Sequence, residues 1–175
     1  VSLFAITKIG AIAVPLNTFL KKEEFEFILN DCGAKMLVCS AAYANETKDL
    51  LKTTKIEKIV WTDKYEHLDE QNYSFTEIDM AQETHERLTK SPTLDALACI
   101  VYTSGTTGKP KGAMLSYRNI FSNSVGAVES FKITSKDRFI VFLPMFHSFT
   151  LSIMVILPIF ACSSILYIFI VLKIL

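Results

Sequence analysis

Apolar residues along the chain follow two spacings, which predict alternating helices and strands. Phe25, Ile28 and Leu29 recur at helical spacing and share one face of a helix that Gly33 can end. Short apolar runs rich in β-branched residues predict strands between the helices. The predicted strands cover residues 35–40, 58–62, 96–103, 112–116 and 138–143, and further helices cover 43–54 and 117–131. These repeated strand–helix units predict an α/β fold with a mostly parallel sheet covered by helices.

The first residues form an apolar run with a single charge, Lys8, near its centre. A signal peptide would place positive charge before the apolar run and small residues after it. We therefore predict an amphipathic helix that ends near Gly10, followed by a short buried strand before Pro15. We expect the chain to begin inside a domain.

The last part of the chain is almost entirely apolar. No Asp, Glu, Lys or Arg occurs between Arg138 and Lys173, and about 18 consecutive apolar residues are enough to propose a membrane span. Pro158 and the pair Ser163–Ser164 interrupt the run, however, and residues 165–172 are rich in β-branched and aromatic side chains. We therefore favour a helix over about 150–160, a turn at the serines and a buried strand. A membrane helix stays open as the alternative.

The middle of the chain, residues 63–90, is charged and has no periodic apolar face. We predict one or two short surface helices there, with His67 and His85 in solvent. Trp61 and the aromatic residues of the segment LSYRNIF (115–121) are predicted to lie in the core.

Charge and cysteine content narrow the class of protein. The chain has 18 Lys and Arg against 18 Asp and Glu residues, so its formal net charge is zero. Binding to a nucleic-acid backbone calls for a clear cationic excess, so we expect no nucleic-acid partner. The cysteines, at positions 32, 39, 99 and 162, form no C-x-x-C pair and have no histidine at metal-ligand spacing. They are predicted to be small buried residues in a reducing compartment, which indicates the cytoplasm.

Candidate chemistry is concentrated in the segment TSGTTGKPKG, residues 103–112. Its glycines let the backbone approach an anion closely and turn successive N–H groups toward it. The hydroxyls of Thr103, Ser104, Thr106 and Thr107 add donors that can also reach a metal-bound phosphate. Lys109 and Lys111 add positive charge on either side of Pro110. Such a loop suits a polyphosphate and the charge that develops on a departing pyrophosphate.

Two other interpretations of this loop are weaker. A Walker-type P-loop needs Gly, four residues, then Gly-Lys-Ser/Thr, but Thr103 stands at the first glycine position and Pro110 at the Ser/Thr position. Serine-, threonine- and glycine-rich loops without function are common. The two lysines that follow the glycines directly make that reading a poor one here.

The segment YTSGTTGKPKGAMLSYRNI (102–120) closely resembles the signature of the adenylate-forming superfamily, which includes acyl-CoA synthetases, peptide-synthetase adenylation domains and luciferases. LPMFHSFTL (143–151) is similar to the family's proline–aromatic–His segment, and KIGAIAVPLN (8–17) to an earlier structural segment. The resemblance extends from about residue 1 to about residue 165. It implies part of the large N-terminal domain, with a first α/β part over 1–95, a phosphate-loop part over 96–165 and a divergent tail over 166–175.

The resemblance also implies roles for individual residues and substrates. His147 takes the place of the family's histidine near the acyl pocket and the thiol entrance. The ligands implied are ATP, Mg²⁺ and coenzyme A. No side chain is assigned as a certain metal ligand, although Thr106 and Thr107 are candidates for contact with a magnesium-bound phosphate. The phosphate-binding residues implied are Thr103, Ser104, Gly105, Thr106, Thr107, Gly108, Lys109 and Lys111.

Residues 4–35 look most like bacterial long-chain fatty acid–CoA ligases, so the implied reaction activates a long-chain fatty acid as its adenylate and transfers it to coenzyme A. The family's adenine-binding, ribose-binding and magnesium-binding residues and its catalytic lysine fall beyond this sequence. No residue of this sequence is therefore assigned as catalytic, and we expect the chain alone to form no acyl-CoA.

Two alternatives stay open. One is part of an acyl-carrier-protein ligase or a peptide-synthetase adenylation domain. The other is a non-enzymatic protein with a relic loop, attached to the membrane surface through its apolar tail.

Overall fold

The computed structural model of the chain describes residues 2–47, 49–67, 69–75, 91–103 and 109–167. Its helices are α1 (Ser2–Lys8), α2 (Lys22–Asp31), α3 (Ala44–Thr47), α4 (Leu50–Thr53), α5 (Tyr117–Phe131) and α6 (Leu157–Phe160), with a 3₁₀ turn at Ala41–Tyr43 and a π-helix at Thr150–Ile156. Its strands are β1 (Met36–Cys39), β2 (Lys58–Trp61), β3 (Asn72–Ser74), β4 (Leu97–Thr103), β5 (Lys111–Ser116), β6 (Arg138–Val141) and β7 (Ser164–Tyr167). The predicted α/β class is confirmed.

The chain divides into two compact units, each assembled from separate stretches. The first unit contains Val1–Ile9, Phe19–Ser91 and Tyr102–Gly112. The second contains Gly10–Thr18, Pro92–Val101 and Ala113–Leu175. The division proposed from the sequence, at residues 95 and 165, stays a prediction.

The first unit is organised around a parallel sheet in the order β1-β2-β3. The register pairs Leu37 with Ile59, and both side chains are buried. Helix α2 buries the three residues that the apolar spacing selected, and it ends where Gly33 adopts a φ of 64°. That left-handed turn lets Ala34 N donate to the Leu29 carbonyl oxygen at 3.0 Å. The core of this unit consists of Phe25, Ile28, Leu29, Leu37, Leu50, Ile56, Ile59, Val60 and Trp61.

The second unit contains α5, whose bounds match the predicted helix 117–131. Ser116 Oγ accepts from Asn119 N at 3.2 Å, and Asn119 Oδ1 accepts from Ser116 N at 2.9 Å. This reciprocal cap satisfies two N–H groups and fixes where the helix begins. The helix ends at Lys132, which has a φ of 54°.

The apolar end of the chain forms a helix, a turn and a strand. The π-helix and α6 run from residue 150 to 160, and β7 then pairs in parallel with β6. Ser163 Oγ donates to the Thr134 carbonyl oxygen at 2.8 Å, and Ser164 N donates to that of Asp137 at 3.2 Å. The serines therefore align β7 beside β6. The order of helix, turn and strand is as predicted, but the prediction of a buried strand was wrong, because Ile165 and Leu166 are 38% and 57% exposed. The rest of the predicted strand, residues 168–172, lies outside the described part of the chain. Among the residues placed by the structure, no helix is both long enough and apolar enough to span a bilayer.

Several local predictions were wrong. The helix predicted over 43–54 is divided. Ser40 Oγ accepts from Ala42 N at 3.2 Å and caps a 3₁₀ turn before α3, and α4 begins separately at Leu50 with Asp49 as its N-cap. The short strand predicted before Pro15 is a single bridge, Ala13 to Cys99. Phe121 is 49% exposed rather than buried, and its ring meets the edge of Phe160 at a centroid distance of 5.3 Å.

The charged middle stretch contains a strand that the sequence interpretation missed. Asp69 Oδ1 accepts from the backbone N–H groups of Gln71 and Asn72 at 2.7 and 2.8 Å, and this turn directs β3 along β2. Asn72 Oδ1 in turn accepts from the indole Nε1 of Trp61 at 3.1 Å, which satisfies the buried tryptophan. His67 is exposed as predicted, whereas residues 76–90, including His85, lie outside the described part of the chain.

The cysteines divide by exposure. Burial raises the pKa of the Cys39 thiol to about 12, with the charge of Asp63 contributing, and burial raises that of Cys99 to about 11. All four cysteines are free thiols. The prediction that they are buried is confirmed only for Cys99, because Cys32 and Cys39 are partly exposed and Cys162 is exposed.

Asp63 generates a testable prediction about stability. Its carboxylate accepts from Ala41 N at 2.6 Å and from Ser40 Oγ at 2.8 Å, which ties the end of β2 to the end of β1. These hydrogen bonds, that of Ala41 first, lower the pKa of Asp63. Their contribution to stability is therefore complete above the ordinary aspartate pKa of about 3.9 and disappears as the pH falls through the lower folded-state pKa.

We predict that Asp63→Ala lowers the melting temperature at pH 7 and that the difference from the parent chain shrinks below about pH 4. Glu66→Ala, which removes an exposed carboxylate nearby, should change the melting temperature little at either pH. Thermal unfolding followed by circular dichroism provides the measurement. A difference for Asp63→Ala that stays constant down to pH 2 would contradict the role of its ionised carboxylate.

Candidate functional site

The candidate site lies where β4 ends and β5 begins. These strands are neighbours in a two-stranded sheet. Tyr117 N, just after β5, donates to the Ala96 carbonyl oxygen just before β4 at 3.1 Å, so the chain returns beside its starting point. A connection of this kind brings residues 103 and 111 to the same end of the strand pair.

The structure describes part of the predicted phosphate-binding set. Thr103 ends β4, Lys109 lies in the connection, and Lys111 opens β5; all three are exposed. Exposed lysines at the ends of neighbouring strands can meet an anion without first breaking a buried contact. The predicted residues Ser104, Gly105, Thr106, Thr107 and Gly108 lie outside the described residues.

The residues on either side of this connection contact helix α2. Tyr102 Oη donates to Asp31 Oδ2 at 2.5 Å. Burial and this hydrogen bond raise the pKa of Tyr102 above its ordinary value, so its hydroxyl keeps its proton at neutral pH. Lys109 Nζ lies 5.6 Å from the centroid of the Phe27 ring, within the range of a cation–π contact. Neither contact was predicted from the sequence.

The second half of the 102–120 segment has a structural role. Arg118 holds Asp95 through two hydrogen bonds, Nε to Oδ1 at 2.7 Å and Nη2 to Oδ2 at 3.0 Å. Together with the Ser116 cap, this pair fixes the start of α5 relative to the residues that lead into β4. The hydroxyl and guanidinium groups in this half are thus occupied by intramolecular partners.

His147 lies in the second unit, in a turn before the π-helix. Its backbone N–H donates to the Pro144 carbonyl oxygen at 3.1 Å, and its carbonyl oxygen accepts from Leu151 N at 2.9 Å. The residue is exposed. Nearby Met145 and Phe149 are 46% and 50% exposed.

Thr150 follows this turn and is fully buried. Within the described ranges, its Oγ1 is the buried side-chain polar atom that lacks a hydrogen-bond partner. A π-helix starts at this residue, and π-helical segments are frequent at functional sites.

No group of three or more His, Cys, Asp and Glu residues that could hold a metal ion occurs in the part of the chain that the structure describes.

Known proteins resemble the chain over most of its length. A 2-succinylbenzoate–CoA ligase from Listeria innocua is 33% identical over 150 residues, which are 86% of this chain and 27% of that protein. The crystal structure of the anthranilate CoA ligase AuaEII in complex with anthranoyl-AMP matches with a TM-score of 0.84 and 28% identity, over 96% of this chain and 32% of that one. A long-chain-fatty-acid–CoA ligase from Archaeoglobus fulgidus matches with a TM-score of 0.82 and 27% identity, over 94% and 31% of the two chains.

The chain spans about 27% of the length of the Listeria relative. The family model described as AMP-binding enzyme matches residues 1–169. Because this match covers nearly the whole sequence, the chain belongs to the AMP-binding enzyme family.

Proposed function

We propose that this chain supplies the phosphate-gripping part of an ATP-dependent acid–coenzyme A ligase. In the first half-reaction, a carboxylate oxygen attacks the α-phosphorus of ATP, and the bond to pyrophosphate breaks to leave an acyl-adenylate. In the second, the sulfur of coenzyme A attacks the acyl carbon, and AMP leaves. The observation that carries this proposal is the exposed set of Thr103, Lys109 and Lys111 at one end of the β4–β5 pair.

These residues suit the negative charge that builds up on the departing pyrophosphate. The lysines provide two full positive charges, and Thr103 provides a hydroxyl donor. Donors that are already in place need no reorganisation when charge develops, which is why such loops lower the barrier. Serine and threonine hydroxyls from residues 104 to 107 are the predicted additional donors.

Mg²⁺ accompanies ATP in this proposal. We infer that the ion arrives on the triphosphate, with the hydroxyls of Thr106 and Thr107 as predicted contacts. Bound there, it would neutralise part of the phosphate charge.

We assign His147 and its neighbours to the acid and thiol side of the reaction. The half-exposed Met145 and Phe149 present apolar surface beside a polar imidazole. Apolar surface with a single convergent polar group is typical of a pocket for an organic acid. The three relatives described above are named as coenzyme A ligases, which favours coenzyme A over a carrier protein as the acceptor.

The acid itself is proposed from those names. Two of the names include an aromatic acid, 2-succinylbenzoate or anthranilate, and one includes a long-chain fatty acid. We therefore propose an aromatic acid first and keep the long-chain fatty acid as the second candidate.

The free cysteines favour the cytoplasm as the location of the enzyme.

The lysines are tested by nucleotide binding. We predict that Lys109→Ala and Lys111→Ala each weaken MgATP binding to the chain about tenfold or more, since charge-assisted hydrogen bonds contribute about 1.5–3 kcal/mol. Isothermal titration calorimetry measures the dissociation constants. Lys64→Ala, at an exposed lysine in the same unit, is the matched control. Equal affinity in the parent chain and both site variants would overturn the proposed role of the lysines.

The acid is tested by equilibrium dialysis of the chain with labelled anthranilate and labelled dodecanoate. We predict tighter binding of anthranilate and a severalfold loss of that binding in His147→Ala. Ser135→Ala, at an exposed position of the same unit, should bind as the parent does. Tighter binding of dodecanoate than of anthranilate would favour a fatty acid as the substrate. Equal binding by the parent chain and His147→Ala would contradict a role of His147 in the acid pocket.

A further inference from the structure

Both ends of the segment 103–108 are attached to a single helix. Tyr102, immediately before it, hydrogen-bonds Asp31 at 2.5 Å. Lys109, immediately after it, lies over the ring of Phe27 at 5.6 Å. Phe27 and Asp31 are four residues apart on α2, so they lie one turn apart on the same face. One face of α2 thus receives both ends of the connection.

Helix α2 is a firm support for these contacts. Its opposite face buries Phe25, Ile28 and Leu29 in the core of the first unit. Two polar contacts also fix it along its length: Lys22 Nζ pairs with Asp49 Oδ2 at 2.9 Å, and Asn30 Nδ2 donates to the Thr53 carbonyl oxygen at 3.1 Å. The helix is therefore held in place independently of the loop.

The contacting face of α2 is unsuited to binding the polyphosphate itself. Its side chains line an open groove of about 520 Å³, formed by Glu23, Glu26, Phe27, Asn30 and Asp31. Three of these are carboxylates, and they would repel a triphosphate. A contribution of this face that favours phosphate binding would therefore act through the loop that it supports.

The two contacts differ in strength. The Tyr102–Asp31 hydrogen bond is short, joins a hydroxyl to an ionisable carboxylate and involves a partly buried tyrosine. The Lys109–Phe27 contact involves an exposed ammonium, and exposed cation–π contacts are weak. Tyr102–Asp31 is therefore the main attachment and Lys109–Phe27 the secondary one.

We propose that α2 sets the affinity of the phosphate loop by holding both of its ends, with Asp31 as the principal positioning residue and Phe27 as the second. This inference rests on the proposed phosphate-binding function and extends it to residues that touch no phosphate. Restricting the ends of a loop before binding reduces the conformational entropy that binding must remove. The attachment thus favours the anion without contacting it.

The main attachment is tested with Tyr102→Phe and Asp31→Ala in the complete chain, with magnesium tripolyphosphate as the probe. Each should raise the dissociation constant about tenfold, a change that equals about 1.4 kcal/mol at 25 °C. The double variant should bind no more weakly than either single one. Asp31→Asn, which keeps an acceptor oxygen, should recover part of the affinity. Tyr73→Phe is the matched control, because it removes a tyrosine hydroxyl that donates to the Glu70 carbonyl oxygen in the same unit.

Hydrogen exchange of the backbone amides of residues 103–109, measured without ligand, separates this inference from the proposed function. Exchange should accelerate in Tyr102→Phe and Asp31→Ala and stay unchanged in Tyr73→Phe. If the parent chain fails to bind tripolyphosphate, the proposed function is wrong, and the exchange rates alone then decide whether α2 holds the loop. Unchanged exchange, or additive losses of affinity in the double variant, would overturn the inference.

The secondary attachment is tested at Phe27. Phe27→Leu removes the aromatic face and should weaken tripolyphosphate binding about two- to fivefold, while Phe27→Tyr keeps the face and should bind as the parent does. A loss of equal size in both variants would show that packing of this residue, rather than its contact with Lys109, matters.

Discussion

Burial of strand β4 is the constraint on which the candidate site depends. Ala98 and Cys99 are 0% and 2% exposed, and Val101 is also buried. Ala13 pairs with β4 at Cys99. Its N–H donates to the Ala98 carbonyl oxygen at 3.0 Å, and its carbonyl oxygen accepts from Ile100 N at 2.9 Å. These contacts hold the part of β4 that leads directly into Tyr102 and Thr103.

Strand β5 is held by a different means. Its first four residues are exposed, including Met114 at 68%, so burial contributes little to its placement. Polar contacts at its end take over this role, namely the reciprocal cap of Ser116 with Asn119 and the two hydrogen bonds between Arg118 and Asp95. The two strands that flank the connection are thus held by burial on one side and by capping on the other, which gives the second half of the 102–120 segment a structural role.

Local signals in the sequence predicted the parts of the fold whose causes are local. The bounds of α5 follow from a serine cap and apolar spacing, and the split of the apolar end follows from Pro158 and two serines that bond back to the turn before β6. Strand β3 was missed because its placement depends on the Asp69 turn and on pairing with β2 rather than on its own three residues. The helix predicted over 43–54 was wrong in its continuity, since α3 ends at Thr47 and α4 begins separately at Leu50.

For the candidate site, the residue types of the loop predict anion binding, but they do not predict the contacts between the ends of the loop and α2. The glycines, hydroxyls and lysines of 103–112 indicate an anion site by residue type alone. The contact of Tyr102 with Asp31 joins positions separated by 71 residues, and no local pattern marks either one. Such contacts depend on where the strands and helices meet, so they become visible only once the fold is known.

Titration of isotope-labelled chain with magnesium pyrophosphate, followed through its backbone amide NMR signals, tests the central claim most directly. We expect the largest shifts at the amides of residues 103–109 and 111, with little change at the exposed lysines 64 and 136, which serve as internal controls. Shifts spread over unrelated lysines, or none at the ends of β4 and β5, would contradict a phosphate site at this position.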